Sequence, residues 1–411
     1  MDANKIMKIF EDTAFVHTSC TEEEHKVAEY LQAQCAEIGL EARMEPFSVT
    51  HGRIQSASLI CDGEEIPCKG YQCSGSGEVE AELYYLANSD PWSLEQCRGK
   101  IVVVDGYLGY WTYQEMVEHG AVGFITYDGH VNYANDDIDQ RQLRPTTHKG
   151  NRILGVNVNA KTATALVKKQ PKSVKISIEQ EEYEGTSYNV VADIPGEKDE
   201  VIIFTAHYDT TSLSVGTYDN MSGCIGILSM AEYFMQHKPK YSLRFVWCGS
   251  EEVGLLGSKA YIKDHEEEMK KIVFCINLDM VGTIMGKFRA CCTAEKKLVS
   301  YLEYMAREYG FGMDAYQDVY PSDSTPMADA GVPGVTFVRR TTQETGTIHN
   351  RYDTMDLMSG EAMVADIGFM TAFAERMANA SKLPVSREMP QEMKDALDYY
   401  LNRKRKPGDM D

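Results

Sequence analysis

The sequence predicts an α/β protein: a mixed, mostly parallel sheet sandwiched by helices, with an inserted β-rich domain. Three observations predict it. Four apolar runs rich in β-branched and aromatic residues begin at Val201, Leu243, Ile272 and Gly334, and each gives way to a polar segment. Helical patterns fall between or after them, at 220–236, 258–268, 294–309 and 360–378. From about His51 to Thr186 the character is different, with short strand-like runs separated by Gly, Asn, Asp and Ser.

Taken in order, Asn4 to Phe15 reads as a short amphipathic helix. A second helix opens at Thr21, with Glu24 three residues on in a capping-box pattern, and Gly39 closes it. Leu40 to Val49 reads as a strand. The inserted region, 50–185, carries strand-like runs in ELYYLA, KIVVVD and VGFITY, then at Arg152 to Val158 and Val174 to Ile178, with one helical piece at Thr112 to His119. Asn189 to Ile194, a Gly-containing turn and Val201 to Thr205 then read as a hairpin. From 386 the chain reads as a charged tail, whose basic cluster Arg403 to Lys406 is expected to be a solvated helix end. The organisation expected is therefore 1–49, an insertion at 50–185, a main domain at 186–385, and a tail at 386–411.

Composition excludes several function classes. With 62 acidic against 41 basic residues the formal charge is -21, which repels nucleic acid and anionic membrane surfaces alike. No apolar run approaches the roughly 18 residues of a membrane span, and MDANKIMKIFEDTAF has no apolar core, so a cytoplasmic protein is expected. Eleven cysteines, several inside apolar runs (Cys224, Cys248, Cys275), read as reduced buried thiols.

The chemistry lies where the four strands stop, at the carboxyl edge of an open sheet, where side chains can face a ligand without breaking the ladder. His207, Asp219, Glu252, Asp279 and His349 supply imidazole and carboxylate donors and no thiolate, a set suited to Zn²⁺ or a similar divalent ion in a catalytic site. Two imidazoles and three carboxylates exceed what one ion that keeps a water can use. They suit two ions sharing one carboxylate. Glu251 is then left free as a general base, and the carboxylate of Asp209 is placed to accept the second N–H of His207 and fix its tautomer.

The motifs AHYDT, YDN, SEEVGLLGS, NLDM, Ser322-Asp323 followed by Pro326, and IHNRYDT, in that order, resemble the di-zinc aminopeptidase family, which also includes glutamate carboxypeptidase and the non-catalytic transferrin-receptor ectodomain. The resemblance covers about 190–380. It implies a zinc aminopeptidase-like fold and an exopeptidase that removes N-terminal residues from peptides. It also implies one zinc on His207 and Asp279, the other on Glu252 and His349, Asp219 bridging, and Glu251 as base, with Asp219-Asn220 a candidate cis peptide. GKIVVVDGY and EHGAVGFITYDG resemble a protease-associated domain. Where many relatives read SDH, this chain has Ser322, Asp323, Ser324, Thr325, Pro326, so the substrate wall differs. Tyr320 lies near where some members place a phenol for the oxyanion. Arg339 and Arg340 would favour the alternative, a carboxypeptidase or dipeptidase on acidic peptides, if they reach the site. A non-catalytic scaffold would need lost ligands, and none is missing.

Overall fold

The computed structural model describes residues 1–105 and 107–407. Gly106 of the GKIVVVDGY run and 408–411 of the charged tail lie outside the described residues. The chain divides into two compact units: Met1–Val49 with Thr186–Leu401, and Thr50–Gly185 with the residues from Asn402 onward. It passes between them inside two long strands, Ala42–Cys61 and Val174–Ile194.

The first unit is built on a mixed sheet whose order, by strand, is Asp314–Gln317, Lys287–Thr293, Gly334–Arg340, Ile272–Leu278, Lys198–His207, Tyr241–Cys248, Val174–Ile194. Lys198–His207 runs parallel to both neighbours, and Ile272–Leu278 runs parallel to Gly334–Arg340. Four parallel strands therefore end at one edge. Alternate residues of the central strand enter opposite faces. Ile202, Phe204 and Ala206 join the larger core with Ile6, Ile9 and Phe10 of helix Ala3–Thr13, Val27 and Leu31 of Glu22–Glu37, Ile227 of Ser222–Gln236, and Phe373 of Gly360–Asn379. Ile203 joins the smaller one with Tyr261 of Leu256–Asp264 and Met327 of Ser324–Asp329.

Asn189–Ile194 and Val201–Thr205 do not pair as the expected hairpin. Ile194 faces Leu243 and Val190 faces Trp247, so Tyr241–Cys248 lies between the two segments. The amides of Glu197 and Lys198 both donate to the Lys240 carbonyl at 2.8 Å, and at Gly196 a Cβ would come within 2.4 Å of the Tyr241 backbone. The reason is topological: the crossover through helix Ser222–Gln236 returns the next strand parallel to the central one and beside it, and the earlier segment is left with that strand's outer edge.

The second unit has its own five-stranded sheet, ordered Lys69–Gly70, Leu154–Asn159, Gly123–Asp128, Ile101–Val104, Leu83–Leu86, with the last four parallel. Parallel neighbours need crossovers, and helices Pro91–Glu95, Tyr110–Glu118 and Pro145–His148 occur in them. Helix Ala160–Lys169, unseen in the sequence pattern, is capped by the Asn159 side chain and buries Ala163 and Leu166. The region expected to be β-rich is thus itself layered α/β. Tyr113 is buried there, its hydroxyl donating to Asn151 O at 2.8 Å.

The segment expected as a charged tail contains a helix, Gln391–Tyr400, which buries Met393 and Leu397 against Ala328 and Met389. The basic cluster begins after that helix and is not simply solvated, because Arg405 pairs with Glu115 and lies 5.8 Å from the Trp111 ring. Among the described residues no helix is long and apolar enough to cross a membrane.

Phe204 is fully buried and stacks on Phe245 with centroids 4.6 Å apart. Phe204→Ala should cost about 3–5 kcal/mol, read as a lower urea midpoint with little change in slope.

Candidate metal centre

Each expected ligand sits where the chain leaves the sheet. His207 is the last residue of the central strand, Asp279 follows Ile272–Leu278, and Glu252 follows Tyr241–Cys248 after Ser250, which takes a positive φ of 55° to turn the chain. Asp219 lies in the irregular turn Thr217–Met221, and the Asp219-Asn220 peptide is cis. His349 comes from the loop after Gly334–Arg340. The structure brings all five together as two triads, His207 with Asp219 and Asp279, and Asp219 with Glu252 and His349, with donor atoms in each within 4.8 Å of one another. Asp219 belongs to both. Its Oδ1 is 3.2 Å from His207 Nε2 and its Oδ2 is 3.1 Å from His349 Nε2, while His349 Nε2 is also 3.1 Å from Glu252 Oε1.

The electrostatics are those of a cluster short of positive charge. Burial alone pulls the His207 imidazole down, but Glu251, Asp209 and Asp219 around it outweigh burial and hold it well above its usual value. Burial would raise Asp219, yet the two imidazoles outweigh it and keep that carboxyl well below the carboxylate range. Asp279 has less help, and burial followed by the charge of Asp219 pushes it up to about 7. Burial also pushes Glu251 well up. Asp279 Oδ1 is buried with no hydrogen-bond partner. Nitrogen and oxygen donors converging from two sides on a shared carboxylate, one oxygen unpaired, are the donor set that a divalent cation fits.

Residues 189–371, which contain every one of these side chains, match the model of peptidase family M28. Over this segment, a little under half of the chain, the sequence is similar to an M28 peptidase. Among curated relatives, leucine aminopeptidase 2 of Trichophyton equinum is 26% identical over 240 residues, 55% of this chain and 47% of that protein. Aminopeptidase YwaD of Bacillus subtilis is 29% identical over 217 residues, 48% of this chain and 46% of that protein. The chain thus spans about half the length of the curated relatives it matches. Solved structures align over nearly the whole chain: an aminopeptidase from Aneurinibacillus sp. strain AM-1 has a TM-score of 0.75 at 23% identity, covering 94% of this chain and 96% of that one. The zinc aminopeptidase BSAP from Bacillus subtilis also has a TM-score of 0.75 at 23% identity, covering 93% and 95%. At that identity the likeness is one of fold, and the mixed sheet flanked by helices is shared.

Within the segment that matches M28 the turns that carry the expected ligands are pinned by buried side chains. His207 Nδ1 faces Asp209 on two atoms, its main-chain oxygen at 3.3 Å and its carboxylate at 3.7 Å. That carboxylate is engaged by the amides of Glu251 at 2.7 Å and Glu252 at 3.1 Å, which draw it to the next turn. Asp353 does the same for the Asp219 turn, accepting from the amides of Tyr218 at 2.7 Å and Asp219 at 3.1 Å. The Asn220 side chain accepts from the amides of Gly223 and Met280 at 3.0 Å and donates to Leu278 O at 2.9 Å, bracketing Asp279. Sequence reasoning assigned no role to the side chain of Asp353 or of Asn220, although both residues stand in the quoted motifs.

Tyr320 is buried with Cys291, Val338, Met280 and Tyr316. Burial, then Asp279, Tyr218 and Asp219, keep its phenol well above the usual value, so it stays a donor. Arg339 is committed elsewhere: its Nε donates to Asp366 Oδ2 at 2.8 Å, its Nη2 pairs with Asp366 Oδ1, and its guanidinium lies 5.5 Å from the Phe288 ring. Arg340 is exposed at the end of its strand.

Asn220→Ala would leave three buried main-chain groups without partners. At about 1–3 kcal/mol for each unsatisfied group, metal-free Asn220→Ala should lose roughly 3 kcal/mol or more, measured by urea unfolding.

Proposed function

We propose that the chain is a two-metal aminopeptidase that removes N-terminal residues from peptides. The observation that carries this reading is the placement of Asp219, one carboxylate oxygen toward each of two imidazoles, with Asp279 and Glu252 completing two triads. His207, Asp219 and Asp279 would hold one ion, and Asp219, Glu252 and His349 the other, with Zn²⁺ the ion best suited to these donors. Two such ions, when bound, supply a Lewis acid for the scissile carbonyl and make water acidic enough to deprotonate near neutral pH.

The chain's own residues do the rest. Glu251, beside the ligand Glu252 but outside both triads, takes the proton of the attacking water and delivers it to the departing amine. The Asp209 carboxylate fixes the main chain of Glu251 and Glu252, and so the relative aim of base and ligand. The Tyr320 hydroxyl is assigned to the carbonyl oxygen as it gains charge. Six carboxylates, those of Asp209, Asp219, Glu251, Glu252, Asp279 and Asp323, cluster around two imidazoles, and two divalent ions do not neutralise them all. The residual negative field suits the free ammonium of a peptide N-terminus and repels a C-terminal carboxylate. With Arg339 held by Asp366, no observation favours a carboxypeptidase.

The test is metal-reconstituted protein on aminoacyl-anilides, the same substrates N-acetylated, and N-blocked peptides ending in Asp or Glu. Release only from free-amine substrates, abolished by a chelator, is expected. Cleavage of the blocked acidic peptides would establish a carboxypeptidase, and a metal-loaded protein inert on all three sets would be a scaffold.

Glu251→Gln should lower kcat by about 10²–10⁴-fold with metal content unchanged, and activity within tenfold of the parent would exclude Glu251 as the base. Elemental analysis should find Asp219→Asn depleted at both sites and His349→Ala depleted chiefly at one.

A further inference from the structure

Glu24 lies outside the M28-matched segment, on the second N-terminal helix, and its sequence context is that of a capping residue. The helix is capped, since Thr21 Oγ1 accepts from the Glu24 amide at 3.1 Å. The Glu24 carboxylate, however, is 1% exposed and does not return to Thr21. Its Oε2 accepts from the Cys20 amide at 2.7 Å, and its Oε1 accepts from Ser187 Oγ at 2.7 Å, the Ser250 amide at 3.2 Å and Ser250 Oγ at 3.3 Å. Every one of these partners can donate, and two are main-chain amides that can do nothing else.

Ser250 immediately precedes Glu251 and Glu252 and takes the positive φ that turns the chain into them. Its hydroxyl also lies 2.6 Å from Ser19 Oγ, so helix and preceding turn grip it together. Gly249 is closely enclosed, for a Cβ there would meet Ser187 Oγ at 2.5 Å and Glu24 Oε1 at 3.0 Å. The same N-terminal stretch exchanges two hydrogen bonds with the loop after Asp209, His17 N to Thr210 Oγ1 at 3.0 Å and Thr210 N to His17 O at 3.2 Å. The turn carrying base and ligand is therefore clamped at Ser250 by Glu24 and at Glu251 and Glu252 by Asp209.

We propose that Glu24 is a positioning residue for catalysis: by fixing Ser250 it sets the aim of the Glu251 carboxylate, without touching metal or substrate. This rests on the aminopeptidase reading above. A small misplacement of a proton-transfer group acts on the chemical step, so kcat should suffer and substrate binding should not.

The experiment compares parent, Glu24→Ala and Glu24→Gln by steady-state kinetics on an aminoacyl-anilide, metal content, melting temperature, and hydrogen exchange of the peptide spanning 249–255 in metal-loaded protein. Glu24→Ala should lower kcat at least tenfold, keep KM within threefold and both metals bound, and speed exchange at 249–255. Glu24→Gln, which retains one acceptor oxygen for Ser250, should fall between it and the parent, at least threefold down in kcat. Either variant with kcat within twofold of the parent would overturn the proposal. So would kcat lost in step with metal and melting temperature, which marks a purely structural residue. Should Glu24→Ala fail to fold, Glu24→Gln decides on the same criteria. Should the parent cleave no aminoacyl substrate, the functional reading fails by itself, and exchange at 249–255 still decides whether Glu24 holds the turn, unchanged exchange overturning it.

Discussion

Carboxylates gathered in a place that water barely reaches repel one another, and the candidate centre has to be built against that repulsion. Two unit charges 4 Å apart interact by about 4 kcal/mol at an effective dielectric of 20. Burial first, and then the charge of a neighbouring carboxylate, Asp219 in the one case and Glu252 in the other, push Asp279 up to about 7 and Glu251 well above its usual value. Left to flexible loops, these groups would turn away from one another toward solvent. They stay because each turn that carries one is tied at its main chain: Glu251 and Glu252 by Asp209, Asp219 by Asp353, and Asp279 from both sides by Asn220. The ties are themselves mostly carboxylates, and buried amides are their natural partners, so acidic residues are held in place by the dipoles of the backbone rather than by basic side chains.

What could be read in the sequence divides along the same line. A buried strand announces itself by a run of β-branched and aromatic residues, and the end of the run marks where side chains become available, so His207, Asp219, Glu252, Asp279 and His349 were legible as a set that the structure brings together. Strand Ile272–Leu278 begins and ends where the pattern places it. Pairing was less legible. Asn189–Ile194 is adjacent in sequence to the central strand, yet Tyr241–Cys248 lies between them, because crossover handedness rather than proximity along the chain decides the neighbour. Strand Lys287–Thr293 went unread because Lys287 and Arg289 break its apolar run.

The tethering residues were the least legible. A ligand reveals itself by chemistry and place, whereas a carboxylate that accepts main-chain N–H groups needs only to be near them in space, and no spacing encodes that. Asp209 was read only as the orienter of His207, two residues away, and its carboxylate also serves a turn more than 40 residues on. Asp353, in a motif quoted for its histidine, serves one 134 residues back. Glu24 was disguised further, since its amide does make the cap its context advertises while its side chain does something else.

The family match begins at residue 189, but the structure that supports the centre does not. The larger face of the sheet is covered in part by Ile6, Ile9 and Phe10 and by Val27, Ala28 and Leu31, all at most 1% exposed and all from the first two helices. Burying an aliphatic or aromatic side chain of this size is favourable by about 1.5–3 kcal/mol, so these helices contribute heavily to the stability that offsets the repulsion at the sheet's edge. They are fixed for that reason, and a fixed helix is a platform from which a side chain can reach the site. Glu24 and Val27 are three residues apart on one helix, the one gripping Ser250 and the other in the core, so the packing that stabilises the sheet is continuous with the contact that holds the turn bearing Glu251.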